Sequence, residues 1–183
     1  MESLRFDPIV SWILRAAMAA LFAAAALHKI RRPKEFLETF SDYEILPDRF
    51  TLPGAVSLVM TEVVLAVGLL FDPTRIHAGL GGAALLLVYG LAIGVNLSRG
   101  RREIDCGCLG PAKGQLLSSG LVVRNAALAI AAVASSLPIS SRSLHPVDVI
   151  SFVGGVLVLA LLFNAINMLA TKPSPWPHPE RIS

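Results

Sequence analysis

Charge is thin in this chain: Asp, Glu, Lys and Arg make up 16% of its 183 residues, against about a quarter in an ordinary soluble domain. With hydrophobic residues at 54%, that shortage argues against a water-soluble globule and for a chain whose solvent is lipid. Alternating polar and apolar residues are missing from the apolar runs. This excludes membrane barrel strands and leaves helices as the spanning structure whose backbone groups pair internally. A basic face with interleaved aromatics is missing too, so the net charge of +3 belongs to membrane flanks rather than to a nucleic-acid surface. Internal repeats are absent. Cysteine is scarce, with Cys106 and Cys108 alone, and the four well-spaced ligands of a structural zinc site are not there.

What is there is a series of apolar runs of roughly twenty residues, the length that crosses a ~30 Å hydrocarbon core as a helix. They extend from Ile9 to Ile30, Pro53 to Phe71, Ile76 to Leu97, Ser119 to Leu137 and Val147 to Ala170. The expected fold is an all-α membrane protein, a bundle of about five transmembrane helices. Residues 1–171 form its single domain and 172–183 a proline-rich, extended tail. A cleaved leader with Ala16 to Ala26 as its hydrophobic region competes for the N-terminus, but Glu2 and Asp7 are unusual in one. After the first span, Pro33 opens a segment in which Phe36, Phe40 and Tyr43 share one helical face. That predicts a short amphipathic helix at the interface, ended by Pro47, or one packed on the bundle's end. Gly82, Gly90 and Gly94, and likewise Ala16, Ala20 and Ala24, form small-residue faces expected to serve helix packing.

Connectivity places the ends of the first, third and fifth spans and the start of the fourth on one membrane face. His28, Lys29, Asn96, Arg124, Asn125, Asn164 and Asn167 therefore gather there. Polar groups at membrane depth face a bundle interior or a wet cavity, which makes His28, Asn96 and Arg124 candidate supporting residues of a site. Lys29 is expected to snorkel to the interface. Arg15 and Glu62 match in depth and are expected to form a structural pair.

The cysteine loop lies on that same face, in the turn-rich run Asp105-Cys106-Gly107-Cys108-Leu109-Gly110-Pro111. A bridge across one residue strains the backbone, and strained, exposed disulfides are the readily exchanged ones. Arg99, Arg101, Arg102 and Lys113 favour the thiolate, the attacking species, while Asp105 opposes it. Three readings of the pair stand: redox exchange, a soft-metal site such as Cu(I) with His28 completing it, and inert thiols.

The chain resembles the MauE/DoxX family of redox-associated membrane proteins. The resemblance is carried by His28-Lys29, Phe36, Tyr43 and Leu46-Pro47, the glycine-rich third span and the Cys-Gly-Cys loop. It implies a multi-pass protein of the inner cell membrane. It also implies a thioredoxin-like, MauD-like partner and an exported, disulfide-containing client of the methylamine dehydrogenase small-subunit type. By the same resemblance Cys106 and Cys108 are the redox pair of a thiol-disulfide oxidoreductase; Arg101 and Arg102 are expected to support it through their charge. Relays resembling vitamin K epoxide reductase use two cysteine pairs. With one pair, this chain needs an outside thiol partner, or a quinone as electron acceptor, and no resident cofactor or metal is expected. The alternatives are a non-catalytic membrane assembly factor and a Cu(I)-handling protein. Lys and Arg crowd the cysteine face, which by charge bias is cytoplasmic. Oxidative chemistry favours the opposite compartment, and the outward-facing loop is the reading adopted.

Overall fold

A computed structural model describes residues 7–107, 116–140, 142–143 and 145–170, with side chains through 168. Its elements are α1 (Pro8–Arg31), α2 (Pro33–Asp42), α3 (Thr51–Leu70), α4 (Arg75–Ser98), α5 (Ser119–Ala134) and α6 (Pro146–Ala170). The protein is an all-α membrane protein: four of these segments, in α1, α3, α4 and α6, are long and apolar enough to cross a bilayer. α5 is shorter than the sequence suggests. Ser135 and Ser136 close the chain into turns on Ala131 and Val133, leaving 16 helical residues, or about 24 Å of rise.

The inner face of α1 carries polar, aromatic and small residues together, with Ala19 and Ala26 buried beside the others. Ser11, Arg15, Met18, Phe22, Ala25 and Lys29 are buried at helical spacing, whereas Ala20 and Ala24 are exposed. The Ala16-Ala20-Ala24 face therefore looks outward: the ionic groups Arg15 and Lys29 must turn inward and set the rotation of the helix, and Ala19, Ala25 and Ala26 supply its small packing residues instead. On α4, a Cβ at Gly82 would meet the Phe22 ring at 2.9 Å, so the missing side chain is what lets α1 approach. Gly90 faces Asn125 at 3.6 Å and Gly94 meets nothing within 4 Å, so the expected three-glycine seam works mainly at its first member.

The expected Arg15–Glu62 pair does not form. Arg15 instead donates to the Leu69 carbonyl at 2.8 Å and to Asp72 at 2.6 Å, beyond the C-terminal end of α3. A guanidinium there meets the orphan carbonyls and the negative pole of the helix. On the same face of the bundle, Arg142 grips Asp7, which caps α1 through the Ile9 N–H, and Asp148 in the first turn of α6. This three-residue clamp ties α6 to α1.

Candidate functional site

The site grows from the way the chain leaves α4. Gly100, at φ +77°, turns the backbone out of the helix, as a glycine in the left-handed region does just past a helix end. An antiparallel bridge between Asp105 and Leu116, with the Leu117 N–H donating to the Ile104 carbonyl at 3.2 Å, pins the base of the cysteine loop. Cys106 follows, 3% exposed, in an apolar cluster with Ile93, Leu117 and Leu121. Gly107 has φ +61°, and a Cβ there would meet Thr39 of α2 at 2.7 Å. The loop is thus pressed against α2 at a position that admits only glycine without strain. Cys108 and Lys113 lie outside the described residues, as does the proline-rich tail.

Tyr43, at the end of α2, joins the elements. Its hydroxyl donates to the Cys106 carbonyl at 3.0 Å, and its own carbonyl accepts from the Asn96 amide at 3.2 Å. Asn96 is fully buried. Arg101 donates to the Asp42 carbonyl at 3.2 Å and pairs with the Glu44 carboxylate, so it fastens the loop to α2. The hydrogen bond from the Arg101 guanidinium holds the Glu44 carboxyl below its ordinary range, and the nearby charges of Arg101 and Arg99 add to this. Arg102 is exposed.

Beneath α2, between α3 and α4, lies a cavity of about 430 Å³ in the half of the bundle that carries the cysteine loop. Phe36, Phe40 and Tyr43 of α2 border it on one side, and Cys106 and Gly107 line it from the loop. Its wall carries one concentration of charge. Lys29, 2% exposed, does not snorkel outward but donates to Glu62 Oε1 at 2.6 Å, inside the bundle. Tyr89 donates its hydroxyl to the same oxygen at 2.6 Å, and Glu62 Oε2 has no partner. The ammonium sits 5.5 and 5.6 Å from the Phe36 and Tyr89 ring centroids. An unpaired carboxylate at Glu62 would be costly in lipid, which explains why the lysine stem turns inward.

A family model described as methylamine utilisation protein MauE matches residues 7–138, a stretch that contains the cavity residues and the Cys-Gly-Cys run. The chain belongs to the MauE family. The MauE of Paracoccus denitrificans is 41% identical over 141 residues, 75% of this chain and 75% of that protein. That of Paracoccus versutus is 38% identical over 178 residues, 97% and 96% of the two chains. That of Methylorubrum extorquens is 37% identical over 162 residues, 87% of each. No solved structure matches this chain.

In this MauE-family chain the candidates read from sequence divide into two groups. Cys106, Asn96 and Arg101 come together through Tyr43 and α2. His28, half-buried on α1, and Arg124 do not line the cavity. Arg124 is buried on α5, pairs with the Asn167 side chain of α6 and stacks over Phe163 at 5.9 Å, joining those two helices. Among the described residues no three His, Cys, Asp or Glu side chains come together as a metal-binding group. Missed from sequence were Lys29, Glu62 and Tyr89. One signal pointed to the last: the chain has two tyrosines, and both border the cavity.

Proposed function

We propose that the chain is an integral-membrane thiol-disulfide redox factor, set in the inner cell membrane with its cysteine loop facing the exported side. In this reading it supports disulfide formation in an exported client together with a thioredoxin-like partner. The observation that carries it is the placement of Cys106: a pinned loop holds it at the wall of a membrane cavity, two residues from the second sulfur. Family membership adds the context. The relatives are named for methylamine utilisation, and the client is of the methylamine dehydrogenase small-subunit type, with a MauD-like partner.

Because Cys106 is buried, Cys108 is the cysteine assigned to meet the partner, and Cys106 the one that resolves the mixed disulfide from within. A thiolate of one protein attacks the disulfide of the other, an S–S bond breaks as a new one forms, and the second thiolate then displaces the first. Asn96 and Tyr43 hold Cys106 in register for this exchange. The test is client maturation in cells carrying the Cys106→Ser/Cys108→Ser double variant. Loss of correctly bridged client is expected, and unchanged maturation rejects the reading. An impermeant thiol reagent applied to intact cells, with and without prior reduction, reports which face the loop occupies.

A further inference from the structure

A pair of cysteines that oxidises a partner ends reduced, and must pass two electrons on before it can act again. The cavity beside Cys106 has the features of the place where that happens. Its volume, about 430 Å³, falls within the ~300–1,000 Å³ of small-molecule sites, which are mostly apolar with a few placed polar groups. Its border includes Val88 of the spanning helix α4, 55% exposed on the outer surface of the bundle, so the natural entry is from the bilayer. Phe36, Phe40 and Tyr89 supply aromatic faces.

The polar group in its wall points to the kind of ligand. An ammonium carries three donors and no acceptor. Lys29 gives one of them to Glu62 and turns its ammonium toward the Phe36 and Tyr89 rings at the cavity wall. A donor-only group at the wall of an apolar cavity favours a ligand that brings an oxygen acceptor. The ligand is therefore lipid-soluble, of ring size, bears a carbonyl oxygen and takes two electrons from a dithiol.

Resting on the redox reading above, we infer that this cavity is the binding site of a lipid-soluble quinone that reoxidises the cysteine pair. The balance is direct. The S–H bonds of Cys106 and Cys108 break and one S–S bond forms, while the two carbonyl oxygens of the quinone gain two protons and two electrons to give the hydroquinone. Lys29 donates to one carbonyl oxygen and stabilises the negative charge that develops there as electrons arrive. Glu62 and Tyr89 hold the ammonium in place.

The experiment uses full-length protein in nanodiscs, reduced and freed of reductant, with decylubiquinone as the probe. Saturable binding is expected, with one hydroquinone formed per protein. Ala92→Phe, which narrows the cavity from α4 and leaves both charged residues in place, should weaken binding by about tenfold or more. The paired Lys29→Met/Glu62→Gln variant, which leaves no unpaired charge, should weaken it comparably. Absent saturable binding, binding without hydroquinone formation, or affinity unchanged in both variants overturns the inference. So does bound phospholipid that decylubiquinone fails to displace, which would assign the cavity to lipid. Mixed-disulfide formation with an oxidised thioredoxin-like protein is scored separately in the same preparation. If that exchange occurs and the quinone does not bind, the quinone site falls and the thiol-disulfide reading stands.

Discussion

Removing the Lys29 ammonium tests how the bundle tolerates charge. Lys29 and Glu62 are 2% and 0% exposed, and their charged atoms lie 2.6 Å apart. Lys29→Met leaves the Glu62 carboxylate in an apolar interior with the Tyr89 hydroxyl as its remaining hydrogen-bond donor. Breaking a buried pair from one side costs about 3–5 kcal/mol, because an uncompensated charge stays behind, whereas replacing both partners with neutral groups is close to neutral. Each single variant, Lys29→Met or Glu62→Gln, should therefore lose about 3 kcal/mol or more, a hundredfold or greater shift in the folding equilibrium. The double variant should recover most of that loss. Unfolding of the purified protein in mixed micelles, titrated with a denaturing detergent and followed by helical circular dichroism, gives the four corners of the cycle. Single losses below about 1 kcal/mol, or a double variant as unstable as the sum of the singles, would refute the argument that the pair is desolvated and mutually dependent.

Other outcomes follow from particular contacts. Gly82→Ala pushes a methyl to 2.9 Å from Phe22 while Gly94→Ala meets nothing within 4 Å; the first should lower stability by about 1–3 kcal/mol, and the second should be neutral or stabilising by up to ~1 kcal/mol, read from paired melting curves. Gly107→Ala combines a left-handed backbone with a 2.7 Å clash on Thr39, so it should reduce client maturation sharply, and adding Thr39→Ser should not restore it fully because the backbone strain remains. The Arg142 clamp predicts a pH response. A hydrogen bond from Arg142, aided by the Ile9 N–H, holds Asp7 below its ordinary value of 3.8, so this tie is complete above that value and is lost only as pH falls through the lowered one. Accessibility of α6 to protease or hydrogen exchange should therefore stay constant from about pH 7 to 5 and rise in stronger acid; a rise already near neutrality would contradict it.

The fold was legible because run length and hydropathy are enough to identify a helix that must span lipid, as in α1, α3, α4 and α6. The end of α5 was less so: Leu137 is as apolar as the helical run before Ser135, and only the two serines, with Pro138 after, draw the chain into turns. Within the site, Cys106 and Asn96 announced themselves by being rare or out of place in an apolar chain. Lys29 did not. A lysine near the end of a span reads as an interfacial anchor, and counting rise gives its depth but not its rotation about the helix or the direction of its stem. The same limit produced the Arg15–Glu62 expectation, since two residues at equal depth can face different neighbours. The geometry of helix packing, with Phe22 seated over Gly82, decides which side chains meet.

Redox exchange by this chain requires a reversible bond at Cys106. Cells quenched in acid, alkylated, reduced and labelled with a second alkylating reagent allow mass spectrometry to read the state of both thiols. Redox exchange at this loop predicts a fraction of Cys106 protected from the first reagent, joined to Cys108 or, when Cys106→Ser leaves Cys108 without its resolving thiol, a partner trapped on Cys108 as a mixed disulfide. Complete first-reagent labelling of both cysteines under all growth conditions, with no trapped partner, would contradict it.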